Sequence, residues 1–463
     1  MMKGVIQEIP YVDPLQVFSL FSEHKDVIFL DSAKLQKDCS RYSFIAVDPF
    51  LTLTSKNGLI KLGEETFHGD PFEILAKQLL KYSQQNDEDL PPFQGGIAGF
   101  FSYELGHHLE DLPRAKIDDM QFPDMALGFY DLVIGFDELK KRAWIFSNGF
   151  PEQDFQKRET RAKKRLAWLL NQIEQISELM AYFPLAEKNI RSNFTSEKYQ
   201  EAVRKVIDYI LAGDIFEANI SQRFHVDLPF NFSTFNLYRK LRMLNPAPFG
   251  AYLNLAETII ISASPERFLL LENQNIETRP IKGTRPRGKN HEEDDALAKE
   301  LLASEKDHAE NVMIVDLLRN DLSKVCEDHT VKVPQLCGLE SYATVHHLVS
   351  VVTGKLKQHL TAVDLLRATF PGGSITGAPK IRAMEIITEI EAVTRGPYCG
   401  SIGYIGFNGD MDTSITIRTF AIKNNVATFQ AGGAVVMDSD PLGEYEETLA
   451  KAGALRRSLV EII

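Results

Sequence analysis

The rhythm of apolar and polar positions changes part-way along the chain. Before about residue 150, short apolar runs are bounded by Gly, Pro and Asp, as in Val27-Ile28-Phe29-Leu30, Tyr42-Ser43-Phe44-Ile45-Ala46, Leu51-Thr52-Leu53-Thr54 and Leu132-Val133-Ile134-Gly135-Phe136. Such punctuated runs predict strands. A charged segment with helical spacing follows over 151–179, and 184–192 reads as a linker. Beyond Asn193, the residues Tyr199, Val203, Val206, Ile207 and Ile210 recur at steps of three and four, which predicts an amphipathic helix stopped by Gly213. Strand-like runs return at Phe249-Gly250-Ala251-Tyr252-Leu253 and Thr258-Ile259-Ile260-Ile261. A long helical region is expected over 294–325 and further strands over 400–436. The expected class is α+β, with a sheet-rich N-terminal domain over 1–190 and a mixed domain over 191–463. No fixed-period repeat or low-complexity tract interrupts it.

With 44% hydrophobic and 25% charged residues over 463 positions, the chain has the balance of a folded globular protein. Its 51 Lys plus Arg against 64 Asp plus Glu leave a formal net charge of −13, which argues against a nucleic acid partner, since that affinity is mostly phosphate neutralisation. The most basic stretch, Lys157-Arg158 to Arg161-Ala162-Lys163-Lys164-Arg165, has helical spacing beside Leu166, Leu169 and Leu170 and reads as a solvated helix face. The first residues lack the apolar core of a signal peptide, and no run approaches the ~18 apolar residues of a membrane span, so a cytoplasmic protein away from membranes is expected. Cys39, Cys326, Cys337 and Cys399 are far apart without Cys-x-x-Cys spacing; they are expected to be reduced and packed.

Two glycine-rich segments invite nucleotide readings and fail them. Gly372 to Lys380 has the glycine spacing of a phosphate loop, but Ala378-Pro379 stands where Lys and Ser or Thr are needed. A Gly-rich turn with amides facing an anion remains. Gly400-Ser401-Ile402-Gly403-Tyr404-Ile405-Gly406 has its first two glycines too far apart for a dinucleotide fingerprint and reads as strand glycines near a ligand. Asp307 with Glu310, and Glu444 with Glu447, lie three apart in helical segments, so each pair shares a helix face. Spacing leaves two readings open, solvated faces or a hard divalent ion held by carboxylates, waters and a ligand oxygen. Lys282 stands among Arg279, Arg285 and prolines; it is either a surface loop residue or, if buried beside Arg279, a neutral nucleophilic amine.

Several segments, in order along 195–455, together resemble the chorismate-utilising enzymes, and among them the aminodeoxychorismate synthase component I family. They are Ser264-Pro265-Glu266-Arg267-Phe268, Pro280-Ile281-Lys282-Gly283-Thr284, Asp307-His308-Ala309-Glu310-Asn311, His346-His347-Leu348-Val349-Ser350, Gly373-Ser374-Ile375-Thr376-Gly377-Ala378-Pro379-Lys380, Asp412 to Arg418, and Glu444-Tyr445-Glu446-Glu447-Thr448. Weaker likeness extends forward to Leu30-Asp31-Ser32, Ser40-Arg41-Tyr42 and Phe93-Gln94-Gly95-Gly96. The resemblance implies a large two-sheet β core flanked by helices. The similar anthranilate synthases have Ala in the Pro-Ile-x-Gly-Thr motif, whereas aminodeoxychorismate synthases have Lys; here the motif carries Lys282.

The resemblance implies chorismate bound through magnesium, with Glu310 and Glu447 as direct ligands and Asp307 and Glu444 in support. Glu266 would protonate the departing 4-hydroxyl and Lys282 would attack C2. Ammonia would then enter at C4 and expel the lysine, giving 4-amino-4-deoxychorismate on the way to 4-aminobenzoate and folate. Tyr398 and Arg418 would hold the pyruvyl carboxylate, with Ser374 and His347 beside the substrate. The amides around Gly432 and Gly433 would form a carboxylate-binding glycine turn, although relatives usually have Gly where Ala434 stands, and a positive φ there would be costly. Gln222 would stand where water-using isochorismate synthases carry a basic Lys. A tryptophan pocket is implied around Asp31, Ser32, Ser40, Arg41, Tyr42, Pro248, Phe249 and Gly250, its role structural or regulatory.

None of the four cysteines has the Gly-x-Cys-x-Gly context of a glutaminase nucleophile, so ammonia is expected from a separate glutaminase subunit forming a heterodimer with this chain. Two other readings stay open: anthranilate synthase component I, and a non-catalytic partner that binds tryptophan or chorismate and regulates a glutaminase.

Overall fold

A computed structural model describes residues 4–35, 39–176, 179, 190–341 and 345–460. Among these, the strands gather into two 12-stranded sheets. The first runs from Val5–Ile9 through Arg142–Ser147, Leu132–Asp137, Tyr42–Ala46 and Val27–Asp31. It continues without interruption into Phe249–Leu255, Thr258–Ser264, Thr419–Lys423, Val426–Val435, Glu217–Asp227 and Arg191–Ser192. The second runs from Ile281–Pro286 through Val345–Lys355, Asn275–Thr278, Arg267–Glu272, Met411–Ile415 and Ser401–Gly406 into Gly96–Phe101, Met125–Tyr130, Leu51–Lys56, Leu59–Leu62 and Glu65–His68.

Residue 190 is therefore not a seam in either sheet. Val27–Asp31 pairs antiparallel with Phe249–Leu255, and Gly96–Phe101 pairs antiparallel with Ser401–Gly406. Backbone groups on the early strands find their partners on late ones, so both ladders cross the division expected at 190. Between the sheets, Ile28, Phe44, Leu253 and Ile260 from one meet Phe100, Ala126, Ile402 and Tyr404 from the other. Helices cover the outer faces. Leu237, Leu241, Ala452 and Leu455 pack on the first sheet, and Phe72, Leu75, Ile314, Leu318 and Leu365 on the second. Each apolar helix stripe is buried on a sheet face, which is the usual reason such layers form.

Local signals explain the helices that matter for the site. The 199–210 periodicity is the helix Ser196–Leu211, capped by the Thr195 side chain, with Gly213 at φ +84° just past its end. The expected single helix over 294–325 is two, His291–Ala303 and Glu305–Ser323, because Ser304 leaves helical geometry and its hydroxyl caps the second at the Asp307 amide. That restart puts Asp307 in the first turn of a helix, where the N-terminal dipole favours negative charge, with Glu310 on the next turn. The basic helix is Phe155–Ile173, shorter than the segment to 179. Lys157, Lys163 and Lys164 are exposed as expected, but Arg158, Arg161 and Arg165 turn inward to the Asn148 carbonyl, the Phe150 carbonyl and Asp131. Of the expected linker over 184–192, residues 184–189 lie outside the described residues, and the edge strand Arg191–Ser192 follows. All four cysteines are free thiols. Among the described residues, no helix is long and apolar enough to cross a membrane.

Candidate active site

A cavity of about 760 Å³ opens where the ends of both sheets meet the helices Glu305–Ser323 and Pro441–Val460. Its walls hold Glu266, Lys282, Asp307, Glu310, His347, Ser374, Tyr398, Arg418, Gly432 and Glu447. These residues are scattered over some 180 positions of sequence and reach one space only through the sheet topology.

Lys282 lies on Ile281–Pro286, where the register against Val345–Lys355 slips between Lys282 and Thr284. Gly283 takes φ +81° at this bulge, a conformation that glycine adopts without strain. The bulge turns the Lys282 side chain into the cavity, where it is 7% exposed. Its Nζ donates to Glu217 Oε1 at 2.7 Å. This differs from the expectation of a neutral amine beside Arg279, whose guanidinium instead pairs with Glu340 at 2.6 Å. Burial works against the charged amine, but Glu217, Glu310 and Glu266 outweigh it and hold the Lys282 ammonium above the ordinary lysine range.

Glu266 sits between the strands Thr258–Ser264 and Arg267–Glu272 and is 5% exposed. Its Oε1 accepts from Ser374 Oγ at 2.6 Å. Burial pushes its carboxyl up to about 7, against the opposing pulls of Ser374 and Lys282. A carboxyl titrating near neutrality is in the range for moving a proton at physiological pH. His347 shares a 2.8 Å hydrogen bond through Nδ1 with Thr284 Oγ1. Burial first, and the charge of Arg418 second, lower its imidazole to about 4, so it is neutral at pH 7. Arg418 donates to the Lys451 carbonyl and shares the cavity wall with Tyr398.

The acidic pairs converge from two helices. Lys306 reaches Glu310 at 3.9 Å and Glu444 at 3.7 Å, while Glu447 pairs with Lys451. Burial pushes Glu310 up to about 7. Burial also raises Glu444, whose Oε1 accepts from Ser439 and whose Oε2 is buried with no hydrogen-bond partner among the described residues. A Cβ built on Gly433 would lie 2.7 Å from Glu444 Oε2 and 3.3 Å from Glu447 Oε1, so glycine there leaves room for both carboxylates. Asp307 lines the same cavity, its charge acts on Glu310, and Arg285 lies 3.3 Å from its carboxylate. Among the described residues no group of three or more His, Cys, Asp or Glu side chains is arranged to hold a metal ion. Magnesium commonly uses only one or two carboxylates, with waters and ligand oxygens completing its shell. The donor chemistry and the orphaned Glu444 oxygen fit such an ion.

Three expectations change here. Gly432, Gly433 and Ala434 are not a turn but part of the strand Val426–Val435, and Ala434, opposite Asn219, needs no positive φ. Gln222 does not face the cavity; it is buried between Ser192 and Thr448, bonding to both hydroxyls. Side chains alternate along a strand, so Glu217 and Asn219 share a face and Gln222 takes the other. Asn219 lines the cavity and Glu217 touches Lys282, and neither was expected. The signal was present in Ile215-Phe216-Glu217-Ala218-Asn219-Ile220: an acidic residue inside a strand-like run calls for a partner. Lys380, at the end of the glycine-rich segment, is anchored to Asp321 and to the Thr369 and Pro371 carbonyls.

A second cavity, of about 230 Å³, is lined by Ser32, Ser40, Arg41, Tyr42, Pro248, Phe249 and Gly250 with Arg267 and Tyr404. Among its charged groups, Asp31 pairs with Arg242, Arg41 with Asp137 and Arg267 with Asp412, while the carboxylates of Glu272 and Asp410 also line it.

Comparison with known proteins shows the family and the fold. The chorismate binding enzyme family matches residues 26–457. Aminodeoxychorismate synthase component 1 of Escherichia coli (strain K12) is 41% identical over 448 residues, covering 96% of this chain and 95% of that protein. Anthranilate synthase component 1 of Acetivibrio thermocellus is 40% identical over 460 residues, covering 97% and 93%. The crystal structure of anthranilate synthase component I from Streptococcus pneumoniae TIGR4 superimposes with a TM-score of 0.80 at 34% identity, covering 92% of this chain and 94% of that one.

Proposed function

The chain belongs to the chorismate binding enzyme family, and from that premise we propose that it is the aminating component of an aminodeoxychorismate synthase. In this reading it converts chorismate and ammonia to 4-amino-4-deoxychorismate. Identity alone does not choose between the two kinds of component 1, which match almost equally. The observation that carries the choice is the amine of Lys282, buried in the cavity that also holds Glu266. An enzyme that aminates chorismate directly at C2 has no use for a second nucleophile there.

In the proposed sequence the Lys282 nitrogen attacks C2, the two ring double bonds shift toward C4, and the C4–O bond breaks. Glu266, protonated up to about pH 7, supplies the proton that lets the oxygen leave as water, since hydroxide is a poor leaving group. Ammonia then attacks C4 and the lysine departs. A covalent lysine divides one awkward substitution into two displacements and directs nitrogen to C4. Arg418 and Tyr398 supply a cation and a hydroxyl for the pyruvyl carboxylate, and His347 and Ser374 flank the ring. Glu310 and Glu447 would hold a magnesium ion, with Glu444 in support; when bound, the ion would neutralise the ring carboxylate and make the ring a better electron sink. A separate glutaminase subunit would supply the ammonia. The second cavity, walled by aromatic rings and largely paired charges, is proposed to take tryptophan.

Incubation with chorismate, magnesium and an ammonium salt tests the function. The expected result is no anthranilate fluorescence, and 4-aminobenzoate only after an aminodeoxychorismate lyase is added. Anthranilate formed without the lyase would overturn it in favour of anthranilate synthase.

A further inference from the structure

Resting on the chorismate reading above, we propose that Glu217 is the proton acceptor for Lys282, holding the resting ammonium and taking one of its protons as the nitrogen attacks the ring. Glu217 is fully buried, and one carboxylate oxygen lies 2.7 Å from Lys282 Nζ. Its other oxygen, Oε2, is buried without a hydrogen-bond partner among the described residues. The carboxylate therefore has an open acceptor site in surroundings where an unsatisfied charge is costly, and accepting a proton relieves that cost.

The other acids facing Lys282 have different commitments. They are Glu266, Glu310 and Glu447. Glu266 is held by Ser374 and is needed as a proton donor. Glu310 stands beside Lys306, and Glu447 pairs with Lys451. Glu217 alone among them has a carboxylate in hydrogen-bond contact with the lysine nitrogen. Its backbone is fixed on both sides. Phe216 donates to the Ala378 carbonyl at 2.7 Å and Asn219 to the Thr376 carbonyl at 2.8 Å. A Cβ on Gly377 would meet the Glu217 carbonyl oxygen at 2.1 Å, so glycine there permits the close approach.

Protons and charge balance through the cycle. In the first displacement the Lys282 ammonium gives one proton to Glu217, its lone pair forms the bond to C2, and the C4 oxygen leaves as water with the Glu266 proton. The nitrogen becomes a secondary ammonium, Glu217 a neutral acid and Glu266 a carboxylate. In the second displacement ammonia bonds to C4, the C2–N bond breaks, and the departing lysine amine recovers its proton from Glu217. The new C4 ammonium returns one proton to Glu266. Both acids end as they began.

The test follows adduct formation on Lys282 by intact mass, with chorismate and magnesium but no ammonia, from about pH 6 to about pH 9. Glu217→Gln should slow the adduct at neutral pH by about tenfold or more, because general base catalysis commonly supplies that much. Its rate should then rise with pH up to about 7 as solvent takes over the deprotonation and level off above it, where the acid form of Glu266 is lost, while chorismate affinity and melting temperature stay near wild type. Glu217→Asp should recover part of the rate with the wild-type pH profile, and it decides the matter if the Gln variant does not fold. Wild-type rate and profile in Glu217→Gln would overturn the role of Glu217 alone. No adduct in the wild-type protein would overturn the covalent reading, and Glu217's role with it.

Discussion

The two cavities are built from similar residue types to opposite ends. In the smaller one, Asp31, Arg41, Arg267 and Asp412 are all paired with neighbouring charges. These pairings leave shape and a few hydrogen bonds as its main means of selecting an occupant, with the carboxylates of Glu272 and Asp410 also on its wall. On the wall of the larger one or in contact with it, Asn219 Oδ1, Glu217 Oε2 and Glu444 Oε2 are buried without hydrogen-bond partners among the described residues. Glu266 and Glu310 are both pushed up to about 7 by burial. Unsatisfied acceptors and shifted acids side by side are costly to the fold, and they cluster where charge must move. On the proposed function, this contrast within one pair of sheets is that between a site for binding and a site for chemistry.

The largest expected effect breaks the chemical site. Lys282→Ala should lower formation of 4-amino-4-deoxychorismate by on the order of 10³-fold or more, measured by lyase-coupled 4-aminobenzoate release, as loss of a covalent nucleophile does. Slow direct amination to anthranilate would be the residual route, and full activity would contradict a covalent lysine. Next, Glu266→Gln should cost roughly 10² to 10⁴-fold, the usual contribution of a general acid. The acid form of Glu266 is present below about pH 7 and is lost as pH rises through it. The wild-type rate should therefore fall on the alkaline side of neutrality, and that limb should vanish in the Gln variant.

A smaller change sharpens the comparison. Lys306 lies between Glu310 and Glu444, where a divalent ion would compete with it. Lys306→Met should tighten magnesium binding roughly threefold to tenfold, read by calorimetric titration without chorismate, because removing one nearby positive charge strengthens the field of the carboxylates. Unchanged or weaker binding would take Lys306 out of that competition. The smallest effect concerns the smaller cavity. Arg41→Ala should leave chorismate turnover within about twofold while reducing the rise in melting temperature produced by tryptophan, as expected of a group whose charge is already balanced. A large loss of turnover would mean the cavities are coupled.

Much of the chemical site was legible before the fold was known. Glu266, Lys282, Glu310, His347, Ser374, Arg418 and Glu447 all sit in short motifs, Tyr398 is implied by the resemblance alone, and the structure gathers them on one cavity. What escaped were relations between distant strands. The Lys282–Glu217 contact joins residues 65 positions apart across two sheets, and no local pattern announces it. Gln222 was assigned to the wrong face although strand alternation through Glu217 and Asn219 was readable. The break at Ser304 was hidden because helical spacing continues on both sides of one capping residue. The division at 190 failed as a structural seam for a similar reason: composition records a change of rhythm, whereas hydrogen-bonded ladders decide which strands share a sheet.

The claim on which the account turns is a bond between Lys282 and the substrate ring. Intact-mass measurement of the protein with chorismate and magnesium in the absence of ammonia, followed by peptide mapping, tests it most directly. A mass gain of chorismate less one water is expected, carried by the peptide containing Lys282 and discharged when ammonium salt is added. Unaltered mass under conditions where the same sample aminates chorismate would contradict it.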